Sequence, residues 1–154
     1  MLAALMALAV TYSGDEPARS FAAVVHPSNP ARDLRLRDLT SLFGGANRQW
    51  PNGSAVVLVE RDANSTPYLY LMDHLLNTTA SEYKRRLQNI EYRGETPLAI
   101  KVLNSDQAAC QFVFNVPSAI AIIESTSIGA PACSQVRVLR IDGKLPGEEG
   151  YCLR

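Results

Sequence analysis

Histidine, cysteine and a surplus of either charge are what this sequence has least of, and each shortage narrows its chemistry. Only two histidines, His26 and His74, occur in 154 residues. No Ser/His/Asp or Cys/His arrangement is legible from their spacing, and no G-x-x-x-x-G-K-S/T pattern occurs. Asp38 and Glu60 do not make a credible acid/base pair. The sequence is therefore not read as an enzyme. Three cysteines, Cys110, Cys133 and Cys152, form no Cys-x-x-Cys or Cys/His cluster, so neither a metal site nor a cofactor is expected. Lys plus Arg balances Asp plus Glu at 15 each, for zero net charge. A nucleic-acid binder normally shows a basic surplus or stripe. The apolar run Met1–Val10 (MLAALMALAV) falls short of the roughly 20 residues that span a bilayer.

What is present suits one globular domain. The chain is 47% hydrophobic and 19% charged, enough to bury a core. The run Met1–Val10 matches the apolar stretch of a secretory signal, although no Lys or Arg precedes it and no clean A-x-A site follows. A buried N-terminal helix or strand is the alternative. The polar, irregular Thr11–Ser20 favours the signal. Residues 1–20 are thus read as signal and linker, residues 21–154 as the domain, and the protein as periplasmic or secreted, with no stable membrane insertion after cleavage. In such a compartment Cys133 and Cys152 are either bridged or two free thiols, and Cys110 is a small buried side chain.

Phe21–Val25 (FAAVV) and Ala119–Ile123 (AIAII) are continuous apolar runs of the kind found in strands covered on both faces. Ala55–Val59 is a third. Leu98–Leu103 reads as a strand or an extended segment, and Gln135–Ile141 as a sheet edge. Between them, Leu36, Leu39, Leu42 and Phe43 share one helical face that Gly44-Gly45 ends. Thr66-Pro67 opens a second helix, on which His74 is read as a structural residue. Thr79 and Glu82 form a capping box for a third, and Ser105 caps a fourth. Trp50 is expected to tuck against the body. Alternating strands and helices predict an α/β fold, a mostly parallel sheet flanked by helices. Ligands of such sheets sit beyond the carboxyl ends of the strands. The loops His26–Pro30, Glu60–Thr66 and Glu124–Ser127 are expected along one rim.

In the second loop Arg61 precedes Ala63-Asn64-Ser65-Thr66, which runs into a helix. Amides at a helix start, two hydroxyls and a guanidinium suit an oxyanion. An ordinary helix cap beside an exposed arginine is the plainer reading.

The segments VVHPSNPARDLRLRDLTSLFGGANRQWPNG, VVLVERDANST and NVPSAIAII occur in this order over Ala22–Ile123. Together the set resembles the phosphate-binding proteins of bacterial phosphate importers. That family shows V-N-P-x-N-P, a helix ending I-F-x-G, a tryptophan, R-x-x-G-S-G-T and P-G-A-I-G-Y. The resemblance implies a type 2 periplasmic-binding-protein lobe with phosphate or a related oxyanion at Arg61, Asn64, Ser65 and Thr66. Arg61 and Ser65 match the family's arginine and serine. Asn64 and Thr66 replace its two glycines, and Pro67 replaces its threonine and carries neither hydroxyl nor N–H. A complete binding protein has two lobes, whereas this chain has residues for one. Weak binding, or a cleft completed by a protein partner or a second copy, is expected. The alternative is an envelope interaction protein that keeps the lobe and has lost the ligand.

Overall fold

A computed structural model describes residues 19–96 and 98–154. Most of the expected signal and linker, residues 1–18, lies outside the described residues. The central sheet has five strands: β1 (Phe21–Val25), β3 (Val57–Arg61), β4 (Ala99–Leu103), β5 (Ala119–Glu124) and β6 (Arg137–Val138), in the order β4-β3-β5-β1-β6. β3 is parallel to both β4 and β5, whereas β1 is antiparallel to β5 and β6. The sheet is mostly parallel with one reversed strand, flanked by helices. A short parallel pair, β2 (Asp33–Leu34) with β7 (Arg140–Ile141), sits beside it.

The two apolar runs became the sheet's centre for the reason their composition gives. All of β1 is buried, and β5 is buried up to Glu124. Alternate residues feed two cores. One contains Phe21, Ala23, Val25, Leu58 and Ile120 beneath α1 (Leu36–Phe43), α2 (Thr66–Tyr70) and α3 (Ala80–Tyr92). The other contains Ala22, Val24, Val59 and Ile123 beneath α4 (Asp106–Asn115). α1 buries Leu39, Leu42 and Phe43, the stripe read from the sequence. It stops at Gly45, whose φ of 81° favours glycine and where a Cβ would lie 2.7 Å from the Leu98 side chain. Trp50 is 3% exposed and donates from Nε1 to Ser118 O at 2.8 Å, as its expected docking requires.

Two expectations change. β3 spans Val57–Arg61, not Ala55–Val59, because Glu60 and Arg61 continue the ladder opposite Val102 and Leu103. Ala55 instead bridges to Gln49. Because β1 runs against β5, Val25 pairs with Ile120 at the start of β5, so His26–Pro30 follows at the opposite end of the sheet from Glu124–Ser127. There Arg137 fastens that loop by donating to Pro27 O, Asn29 O and Ala31 O. His74, read as a structural residue at the polar edge of a mostly buried helix, is exposed on the π-helical turn Leu71–Leu75 that continues α2, its ring 5.2 Å from that of Tyr70.

Cysteine pairing differs as well. Cys110 on α4 is joined to Cys133, in the 3-10 turn Pro131–Cys133, and Cys152 is free. Cys110 and Cys133 belong to the core beneath α4, whereas Cys152 packs against the core on the other face. A Cys133–Cys152 bridge would have to cross the sheet.

Candidate functional site

The rim at the carboxyl ends of β3, β4 and β5 is where an α/β sheet of this kind offers a site. Strand alternation sends the last two residues of β3 to opposite faces: Glu60 toward α3 and Arg61 toward α4. Arg61 is 14% exposed at its side chain. Its Nη1 donates to Asp106 Oδ1, and its Nη2 donates to Asp62 Oδ1 at 3.2 Å and to Asn104 O at 3.3 Å. Its Nε–H is buried without a partner among the described residues.

Asp106 opens α4 behind the Ser105 cap, whose hydroxyl accepts from Ala108 N at 3.0 Å. The second Asp106 oxygen accepts from Glu124 N at 3.1 Å and from Ser127 Oγ at 2.6 Å. One carboxylate thus ties together β3, α4, the end of β5 and the turn after it. Sequence reading missed it. The usable signal was the one charged residue of the helix, an acid directly after its cap and four residues before a cysteine.

The residues expected to form the anion cradle are brought together, but their donors are largely engaged. Ser65, not Thr66, is the cap of α2: its Oγ donates to Asp62 O at 2.7 Å and accepts from Tyr68 N at 3.3 Å. Thr66 Oγ1 donates to Glu124 Oε1. Pro67 has no N–H, so Thr66 keeps the one first-turn amide without a partner among the described residues. Asn64 is exposed beside it. Asp62 and Asp106 pair with Arg61, and Glu124 accepts from Thr66, so acids surround this guanidinium. Ser20 Oγ, 2.5 Å from Ser125 Oγ, closes its far side. His26 belongs to the opposite end, where its Nδ1 accepts from Ser28 N at 3.0 Å.

On the other face, Glu60 is 6% exposed. Tyr83 Oη lies 2.5 Å from Glu60 Oε1 and 3.1 Å from Phe43 O. Burial holds the Glu60 carboxyl above its usual range, with the Tyr83 hydroxyl pulling partly the other way. Tyr83 is itself pushed well above the ordinary tyrosine range, by burial first and by Glu60 second.

By sequence, no family model and no curated protein matches the chain. Structure gives a different result. PstS from Borrelia burgdorferi superposes with a TM-score of 0.66 at 14% identity, covering 83% of this chain and 49% of its own. A phosphate ABC transporter substrate-binding protein from Clostridium perfringens, solved with bound phosphate, gives 0.64 at 18% identity, covering 82% and 46%. An ABC-type phosphate transport receptor from Vibrio cholerae gives 0.62 at 18%, covering 80% and 47%. The resemblance read from the ordered segments is thereby met at the level of the fold. This chain spans about half the length of the structures it matches.

Proposed function

We propose that this chain is a solute-binding lobe for a small oxyanion of the phosphate class, binding rather than transforming its ligand, with Arg61 as the cationic anchor. Asn64 and the Thr66 amide flank the anion, Ser65 fixes the turn, and a second lobe or partner completes the cleft. The observation that carries this reading is the Arg61 guanidinium, held at the carboxyl end of β3, in the same loop as the open Thr66 amide and the exposed Asn64. Likeness of fold to phosphate receptors, one of them with phosphate bound, supports the ligand class.

The surrounding carboxylates set both affinity and selectivity. A fully deprotonated anion would face Glu124 and Asp62 with no proton to offer. Hydrogen phosphate keeps a P–OH that donates to a carboxylate, so phosphate is favoured over sulfate. An open half-cleft leaves the anion in water, where each charged hydrogen bond is weakened. The affinity of the isolated lobe is therefore low.

We place the lobe in the periplasm or outside the cell. The buried Cys110–Cys133 bridge suits an oxidising compartment, as does the apolar start of the chain. No helix among the described residues is long and apolar enough to cross a membrane.

Calorimetric titration with phosphate and with sulfate at neutral pH tests the proposal. Phosphate gives heat at millimolar concentration and sulfate gives less. Asp106→Asn, which removes a neutralising charge from Arg61 and keeps an acceptor for Ser127, tightens phosphate about tenfold. Silence from both proteins would defeat the reading and leave an interaction protein built on the same lobe.

A further inference from the structure

We propose that the cavity between α3 and the β3–β4 edge binds a small amphiphilic amine, an apolar body with one ammonium head that pairs with Glu60. The cavity measures about 440 Å³, within the roughly 300–1,000 Å³ typical of small-molecule sites. Its apolar wall comes from Leu87, Ile100 and Val102, and Val102 is 59% exposed at the mouth. Tyr68 and Tyr83 add two aromatic rings, and Glu60 is its buried acid.

The chemistry of the head group follows from Glu60. One carboxyl oxygen is held by Tyr83, and the other has no hydrogen-bond partner among the described residues. When Glu60 is ionised, Tyr83 donates to the one oxygen and the other is a free acceptor, the state that a bound cation favours. A ligand must therefore bring a donor. An ammonium does so best, because it also supplies the countercharge that a buried carboxylate lacks. Lys84, exposed at the mouth, and Arg86 form no ion pair with Glu60 among the described residues. The site does not depend on the anion reading, since Arg61 faces the other side of the sheet.

Hexylammonium, hexanol and hexanoate, titrated separately into the full chain at neutral pH and followed by amide chemical shifts, decide the matter. Hexylammonium binds tightest, hexanol more weakly and hexanoate least, with shifts centred on Tyr83, Ile100 and Val102. Glu60→Gln weakens hexylammonium about tenfold and leaves hexanol unchanged. Val102→Lys weakens all three. Hexanoate binding as tightly as hexylammonium, no response to millimolar hexylammonium, or shifts confined to Arg61–Thr66 would each overturn the proposal. The ranking on the unaltered protein needs no variant to fold, and phosphate titration of the same sample reports separately on the rim.

Discussion

Glu60 and Arg61 are neighbours in β3, yet the walls they face are built differently. Toward α4, Arg61 meets a carboxylate that is itself fully occupied, and the disulfide pins the helix to the turn Pro131–Cys133. Toward α3, Glu60 meets a helix of 13 residues in which Tyr83 is the one buried side chain, with a cavity beside it. The closed wall fixes the geometry of the rim, and the open wall leaves room for a guest. Buried charge is tolerated where it is paired and is drawn toward neutrality where it is not.

The largest effect should come from opening the closed wall. Asp106→Ala leaves Arg61 largely buried without its main countercharge and strips the acceptor from Glu124 N and Ser127. Loss of a buried pair on one side costs about 3–5 kcal/mol, measurable by urea unfolding. A cost near that of a surface substitution would mean that the two walls are not so different. Next comes the disulfide. Its cysteines are 23 residues apart, and a loop of that size stabilises by about 3 kcal/mol. Cys110→Ala with Cys133→Ala should lose that amount, whereas Cys152→Ala should lose much less. Equal losses would break the contrast between the faces.

The two walls also differ in how far the sequence revealed them. Caps and apolar runs depend on near neighbours, so Thr79 with Glu82 and the burial of Phe21–Val25 and Ala119–Ile123 could be read directly. Strand direction has no such local mark. An apolar run looks the same in either orientation, which is why the His26 loop was expected on the wrong rim. Pairing across the sheet is equally silent: nothing near Cys133 distinguishes Cys110 from Cys152 as its partner. Arg61 was found as a candidate, but its neutralisation by Asp106, 45 residues away in the chain, was not. Glu60 was assigned to a loop because its charge ended an apolar run. A buried acid continuing a strand is the uncommon case, and that made it informative once its neighbours were known.

A smaller effect is expected on the open wall. Tyr83→Phe removes the hydroxyl shared by Glu60 and Phe43 O and should cost about 1 kcal/mol. The same change should raise the Glu60 pKa further, because the Tyr83 hydrogen bond is what partly offsets burial. If Tyr83→Phe instead cost as much as Asp106→Ala, the α3 wall would be as tightly integrated as the α4 wall.

The subtlest test is the pH dependence that Glu60 imposes. Its folded carboxyl holds a proton above the ordinary value of 4.5, so over that window the native state binds more protons than the unfolded chain. Stability then falls as pH rises, because the slope follows the protons bound in the unfolded state minus those bound in the native state. The Glu60 contribution is fully present below the usual glutamate value, declines above it, and levels off once pH passes the folded value. Glutamine does not titrate and keeps the shape. Glu60→Gln should therefore gain on the unaltered protein as pH rises from acid to neutral, in paired unfolding curves at matched ionic strength. A constant difference between the two proteins would mean that Glu60 is as well solvated folded as unfolded, and the α3 wall would have no unmet acid to offer a ligand.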